Sequence, residues 1–277
     1  MSQTDKVTGL NRGFLHTGQT KMELRSSTYP VLVTFVTQLA ALAFVYELMP
    51  LQGAVTFQPY SGGGAPVLNA LIFLSLPIAG TLAFLKLRRR TAIKQFYAVA
   101  ESLLVVLLTY IILALTGIPD PLPEAFGVVI GIVGYLTVMR GKDISKAAYA
   151  VLISSEAGSF LAVMFTPPTV YLVFLFFALY DVFAVFRGPL KKVIDEPGFG
   201  MLSFDVGHIS IGLGDQVFYS MAPATGYIIK GVIGALGVLV LVDVGFFLTL
   251  ALLSRRRALP GLTIPLLLTV FFLILFP

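Results

Sequence analysis

Cysteine is absent from the 277 residues, and charged side chains make up only 12% of them. The first absence excludes disulfides, a thiol nucleophile and cysteine-ligated iron–sulfur clusters. The second, set against a 57% hydrophobic content, excludes a soluble domain, whose surface must be solvated. Histidine is scarce too: only His16 and His208 occur, and without an HExxH motif a histidine-ligated zinc protease is excluded. No metal or other cofactor is expected. A GxSxG nucleophile elbow is missing as well. Residues 1–28 are polar and mixed in charge, without the apolar core and small-residue cleavage site of a secretory signal. They read as a cytoplasmic tail.

What is present is a succession of apolar runs, each of a length that matches a hydrocarbon core of about 30 Å. Candidate spans fall near 29–50, 67–87, 96–117, 122–139, 146–166, 168–186, 205–223, 228–254 and 260–276. Turn chemistry separates them: Gly62-Gly63-Gly64 with Pro66, Pro119 to Pro123, Pro167-Pro168 and Pro197-Gly198. The pattern predicts an all-α polytopic membrane protein, with residues 29–277 forming one nine-span domain in a cell membrane. No internal repeat of the inverted-transporter kind is evident.

Lysine and arginine near membrane ends are retained on the cytoplasmic side. Lys6, Arg12, Lys21 and Arg25 precede span one, and Lys86, Arg88, Arg89, Arg90 and Lys94 lie between spans two and three. Arg140, Lys142 and Lys146 follow span four, Arg187, Lys191 and Lys192 follow span six, and Arg255, Arg256 and Arg257 follow span eight. With nine spans and the N-terminus inside, every one of the 19 basic residues except Lys230 falls on one side. The C-terminus is then outside. The net charge of +5 therefore reads as orientation; dispersed among loops, it implies no nucleic-acid partner.

Of the acids within apolar runs, two come first: Asp181 in Val170 to Phe186, and Asp215 at the end of Gly212-Leu213-Gly214-Asp215. A carboxylate at mid-bilayer costs roughly 2.5 kcal/mol or more, so such residues usually face a cavity and a partner. Asp181 precedes Arg187 by six residues, about 9 Å at helical rise, and Asp215 follows Asp205 by ten, about 15 Å if helical. The two acids can share one layer. Two close carboxyls in a low-dielectric site share one proton readily. One can then take a proton from water while the other protonates a scissile carbonyl, giving a tetrahedral gem-diol without a covalent intermediate. Gly212 and Gly214 remove side chains beside Asp215 and are expected to loosen the helix, freeing backbone to pair with a substrate.

Tyr180-Asp181 in one span, Gly212-Leu213-Gly214-Asp215 in the next, and Ala258-Leu259-Pro260-Gly261-Leu262 opening the last resemble the presenilin and signal peptide peptidase family of intramembrane aspartyl proteases, in its compact prokaryotic form. Gly261 stands where the family's usual Pro-Ala-Leu has alanine. The resemblance implies that Asp181 and Asp215 are the catalytic pair, that Pro260, Gly261 and Leu262 shape the site and receive substrate, and that Tyr180 forms an adjacent wall. Gly212, Leu213 and Gly214 join these as substrate-binding positions. It implies membrane-helix substrates, which must unwind locally; such a substrate is expected to pair as an extended strand with backbone near 212–214 or 260–262. The short connection from about 187 to 204 leaves little room for a large cytoplasmic insertion, so no obligatory partner subunit is inferred; a homo-oligomer is allowed. The inside N-terminus is the presenilin orientation. Because scissile-bond polarity should follow that of the site, substrates with an outside N-terminus are expected to be preferred.

Two rival readings use the same acids. Prepilin and preflagellin peptidases also carry a membrane aspartate and GxGD, with fewer spans and a cut near the cytoplasmic boundary. A proton or cation channel or transporter would draw on Glu101, Glu156 and Asp243 as well, although these acids read more simply as interhelical ties. Lys230 reads as a snorkelling side chain, His208 as a residue tuning or capping span seven, and Glu47 as interfacial. Phe174, Phe176, Phe177, Phe183 and Phe186 read as packing or lipid contact. Gly127, Gly131 and Gly134 have the spacing of a close helix contact.

Overall fold

A computed structural model describes residues 24–86, 90–187, 203–206, 209–253 and 259–276. In chain order these form α1 (Leu24–Leu48), α2 (Ala65–Lys86), α3 (Arg90–Leu115), α4 (Leu122–Arg140), α5 (Asp143–Met164), α6 (Pro167–Phe186), strands β1 (Ser203–Val206) and β2 (Ile209–Gly212), α7 (Leu213–Leu253) and α8 (Thr263–Leu275). The expected tail over residues 1–28 lies largely outside the described residues, as do His208, Lys191, Lys192, Arg255, Arg256, Arg257 and Ala258. Among the described residues, six helices are long and apolar enough to cross a bilayer, α7 counted once, and Ala65–Gly80 and Thr263–Leu275 are shorter apolar stretches.

The helix starts follow proline chemistry. α6 opens on Pro167-Pro168 and α4 on Leu122-Pro123, where a missing N–H costs nothing because the first helical amides have no intrahelical partner. α4 closes at Gly141, whose N–H donates to Thr137 O at 2.7 Å. Ahead of α2, Asn69 holds the loop by accepting from Tyr60 N and donating to Tyr60 O, both at 3.0 Å. Phe57, Phe73 and Phe165 then meet edge to face, with ring centroids 4.9 to 5.8 Å apart.

α5 is the central helix, packed against α1, α3, α4, α7 and β1. Its small residues permit this crowding. A Cβ on Gly158 would collide with Ser220 Oγ and lie 2.7 Å from Met221 N, so α7 approaches α5 backbone to backbone. Ser220 Oγ donates to Ser154 O at 2.6 Å, and Ser159 Oγ donates to Ala41 O at 2.8 Å on α1. Gly127 and Gly131 face Val106 of α3, and Gly134 faces the Tyr149 ring. The glycine spacing thus serves close helix contact.

Three other polar ties cross helix interfaces. Thr109 Oγ1 donates to Glu156 Oε1 at 2.8 Å, Gln38 Nε2 to Asp243 Oδ1 at 2.7 Å, and Gln216 Nε2 to Thr34 Oγ1 at 2.8 Å. Glu156 and Asp243 are therefore interhelical ties. Glu101 Oε1 is buried without a hydrogen-bond partner among the described residues. Phe174 and Phe177 are core residues, whereas Phe183 and Phe186 are exposed.

Three expectations need correction. The chain is not all-α: residues 203–212 contain an antiparallel hairpin, with Phe204 opposite Ile211 and Ser203 opposite Gly212. Phe204, Ile209 and Ile211 are buried while Ser210 is exposed, the period-two alternation of a half-buried strand. A window wide enough to find a membrane helix averages this alternation into the helix that follows. The helix expected to begin at 205 starts at Leu213, and Gly212 belongs to β2 rather than loosening a helix.

The second correction concerns the boundary expected at 224–227. α7 is helical through that interval and breaks instead at Gly231, with φ 62° and ψ −152°, a backbone region open essentially to glycine alone. Eight residues of straight helix would separate Gly226 from Gly234 by about 12 Å. A Cβ on Gly226 would nevertheless lie 2.6 Å from Gly234 O, so the two arms of α7 fold back on each other. Third, the last helix begins at Thr263, leaving Leu259 to Leu262 non-helical; Pro260 and Gly261 are poor helix formers.

Candidate functional site

α6 delivers Asp181 near its C-terminal end, and the side chain is half-buried. Leu262 N donates to Asp181 Oδ2 at 2.7 Å. α8 has no side-chain cap of its own. Asp181, from another helix, satisfies the Leu262 amide that the start of α8 would leave unpaired and places an acceptor at the positive end of its dipole. Thr263 Oγ1 adds a second tie, donating to Ala178 O at 3.0 Å.

Asp215 is the third residue of α7, reached directly from β2. Its carboxyl lies between two glycines. A Cβ on Gly261 would come 2.8 Å from Asp215 Oδ2, and one on Gly212 would come 3.3 Å from it. The Asp181 carboxyl, on Leu262 N, and the Asp215 carboxyl, beside Gly261, thus border two consecutive residues. The fold therefore brings Asp181, Asp215, Gly212, Gly261 and Leu262 together, although they come from three separate parts of the chain.

The other expected site residues have different surroundings. Tyr180 and Pro260 are half-buried, and Gly214 is exposed with open space beside its Cα. Leu213 packs against both the main core and the smaller cluster of Val105, Tyr149 and Ile153. Its side chain anchors the start of α7.

Tyr219 was missed in the sequence. It is fully buried, its ring centroid lies 5.2 Å from that of Phe246, and its hydroxyl donates to Gly261 O at 2.8 Å. The available signal was its spacing four residues beyond Asp215, which puts both on one helix face. Among the described residues, no group of three or more His, Asp or Glu side chains is arranged to hold a metal ion.

These features define a multi-pass α-helical membrane protein with two acids converging on an unwound segment. No protein-family model matches the chain, and no curated protein matches its sequence. Its fold is similar to two solved structures of a presenilin family intramembrane aspartate protease. The one in space group C222 aligns with TM-score 0.69 and 22% identity, covering 91% of this chain and 98% of that one. The one in space group P2 aligns with TM-score 0.64 and 23% identity, covering 88% and 94%. The chain thus has the presenilin-type fold over most of its length.

Proposed function

We propose that this protein is an intramembrane aspartyl endopeptidase that hydrolyses peptide bonds within transmembrane segments. The observation that carries the reading is the convergence of Asp181 and Asp215 about Gly261 and Leu262. In the proposed reaction the pair holds one proton. One carboxylate takes a proton from water as its oxygen attacks the scissile carbonyl, and the other protonates the carbonyl oxygen. The gem-diol collapses as the amine departs with a proton from the dyad. Peptide plus water gives an acid and an amine, with no cofactor required by this balance.

Substrate would meet the site as an extended strand. β2 pairs with β1, ends at Gly212 and leads directly to Asp215, so a strand added at its other edge would run toward the dyad. This edge is better placed than the 260–262 segment, where Gly261 O and Leu262 N are already engaged. Nine spans, one membrane domain from 29 to 277, an inside N-terminus and cell-membrane residence complete the proposal. Counting the two arms of α7 separately supports the span number, and the basic residues support the orientation. Glu156 and Asp243 are each tied across a helix interface, which favours a structural use over a transport path. The fold likeness over 91% of the chain favours this reading over a prepilin-type peptidase.

The test is reconstitution with a fluorescent single-span peptide, with products identified by mass spectrometry. Cleavage within the span is expected from the parent and neither from Asp181→Asn nor from Asp215→Asn. Cleavage unaffected by either substitution rejects the proposed dyad. In sealed vesicles, substrates with the N-terminus outside should be cut preferentially; equal cleavage of both orientations overturns the proposed polarity.

A further inference from the structure

We propose that Tyr219 is a positioning residue that orients the dyad through one peptide group; the inference rests on the protease reading above. Gly261 O accepts the Tyr219 hydroxyl at 2.8 Å, and Leu262 N donates to Asp181 Oδ2 at 2.7 Å. The carbonyl of residue 261 and the amide of residue 262 are the two ends of the same planar unit. This peptide is trans, since the cis bond among the described residues is Asp120-Pro121, so its C=O and N–H point in opposite directions. Tyr219 and Asp181 hold it from opposite sides and fix its rotation.

The connection has a mechanical and an electronic part. Tyr219 stands one turn beyond Asp215 on the same helix, so the clamp ties the α7 acid to the α6 acid through a segment belonging to neither helix. Donation to the carbonyl also polarises the peptide and strengthens its N–H as a donor to Asp181. The clamp leaves no slack at Gly261, whose added Cβ would lie 3.3 Å from the Tyr219 hydroxyl and 2.8 Å from Asp215 Oδ2. The Tyr219 ring is held independently by burial and by Phe246, so removal of the hydroxyl alone leaves its packing in place.

The experiment compares the parent, Tyr219→Phe, and 3-fluorotyrosine inserted at 219 by codon suppression, in the peptide-cleavage assay and by amide hydrogen exchange over residues 259–264. Loss of the hydroxyl should lower kcat roughly tenfold with KM unchanged, the scale expected for one interaction that orients the reacting groups. Exchange at the Leu262 amide should quicken while the thermal midpoint stays within a few degrees. The fluorinated tyrosine, which keeps the hydroxyl, should retain kcat to within about threefold and parent-like exchange. Unchanged kcat and exchange in Tyr219→Phe overturns the proposal, as does a fall in kcat that only tracks loss of folded protein. If Tyr219→Phe does not fold, loss of kcat with the folded fluorinated protein overturns it. Failure of the protease reading has a separate signature: the parent cuts nothing while exchange in Tyr219→Phe still quickens, which removes the catalytic role and keeps the clamp.

Discussion

Asp181 caps a helix to which it does not belong, accepting the Leu262 amide at 2.7 Å where α8 begins. A proposed catalytic acid is therefore also a structural one. Asp181→Ala should lose about 1 kcal/mol of stability, the usual worth of a helix cap. Asp181→Asn keeps an acceptor oxygen and should preserve most of that stability while losing cleavage. Thermal unfolding in detergent checks the pair; equal midpoints for the Ala and Asn variants would remove the capping role.

Gly261 borders Asp215 so closely that a branched side chain there must displace the carboxyl or the loop. Gly261→Val should reduce peptide cleavage by about 100-fold or more, the scale of a 1 Å misplacement in an active site. Circular dichroism should show helix content near that of the parent. A folded Val variant within tenfold of parental kcat contradicts the close-contact account.

At Gly231 the backbone has φ 62° and ψ −152°. Gly231→Ala should destabilise the protein by about 1–3 kcal/mol. Gly80→Ala is the matched control, because its Cβ would meet nothing within 4 Å and alanine is the better helix former. Equal thermal midpoints for the two variants would mean that the return between the arms of α7 does not depend on glycine.

Thr109 and Glu156 form a buried tie between α3 and α5. Thr109→Val leaves Glu156 without this donor and should cost about 1–3 kcal/mol, with kcat per folded molecule unchanged. Thr109→Val with Glu156→Leu should recover part of the loss, since the orphaned polar group is gone. A fall in kcat in well-folded Thr109→Val would bring Glu156 into the reaction and revive the transport-like use of the buried acids.

The helices were legible because burial in a bilayer demands long apolar runs, and α3 to α6 lie close to the expected windows. Asp181 and Asp215 stand apart from Glu101, Glu156 and Asp243 in the sequence because Tyr180-Asp181 and Gly212-Leu213-Gly214-Asp215 surround them, whereas the cost of an acid in an apolar run applies to all five. The hairpin was not read, although Phe204, Asp205 and Val206 precede Gly207-His208 and Ile209-Ser210-Ile211 in alternating patterns with a two-residue separation. Its strands are too short to stand out beside the helix they feed. The break at Gly231 lies a few residues beyond the expected boundary, because Pro223 and Gly226 carry turn chemistry in the sequence while the backbone reverses only after Lys230.

The sequence by itself determined the bilayer as solvent, the approximate set of membrane segments, and which acids a bilayer makes costly. Only the tertiary structure decided what those acids touch. The Asp181 contact spans 81 residues and the Tyr219 contact 42; neither leaves a local periodicity, because a hydrogen bond between distant segments depends on where packing brings them. Helix packing on small residues sets the approach, and the non-helical 259–262 segment supplies a peptide group with both ends available.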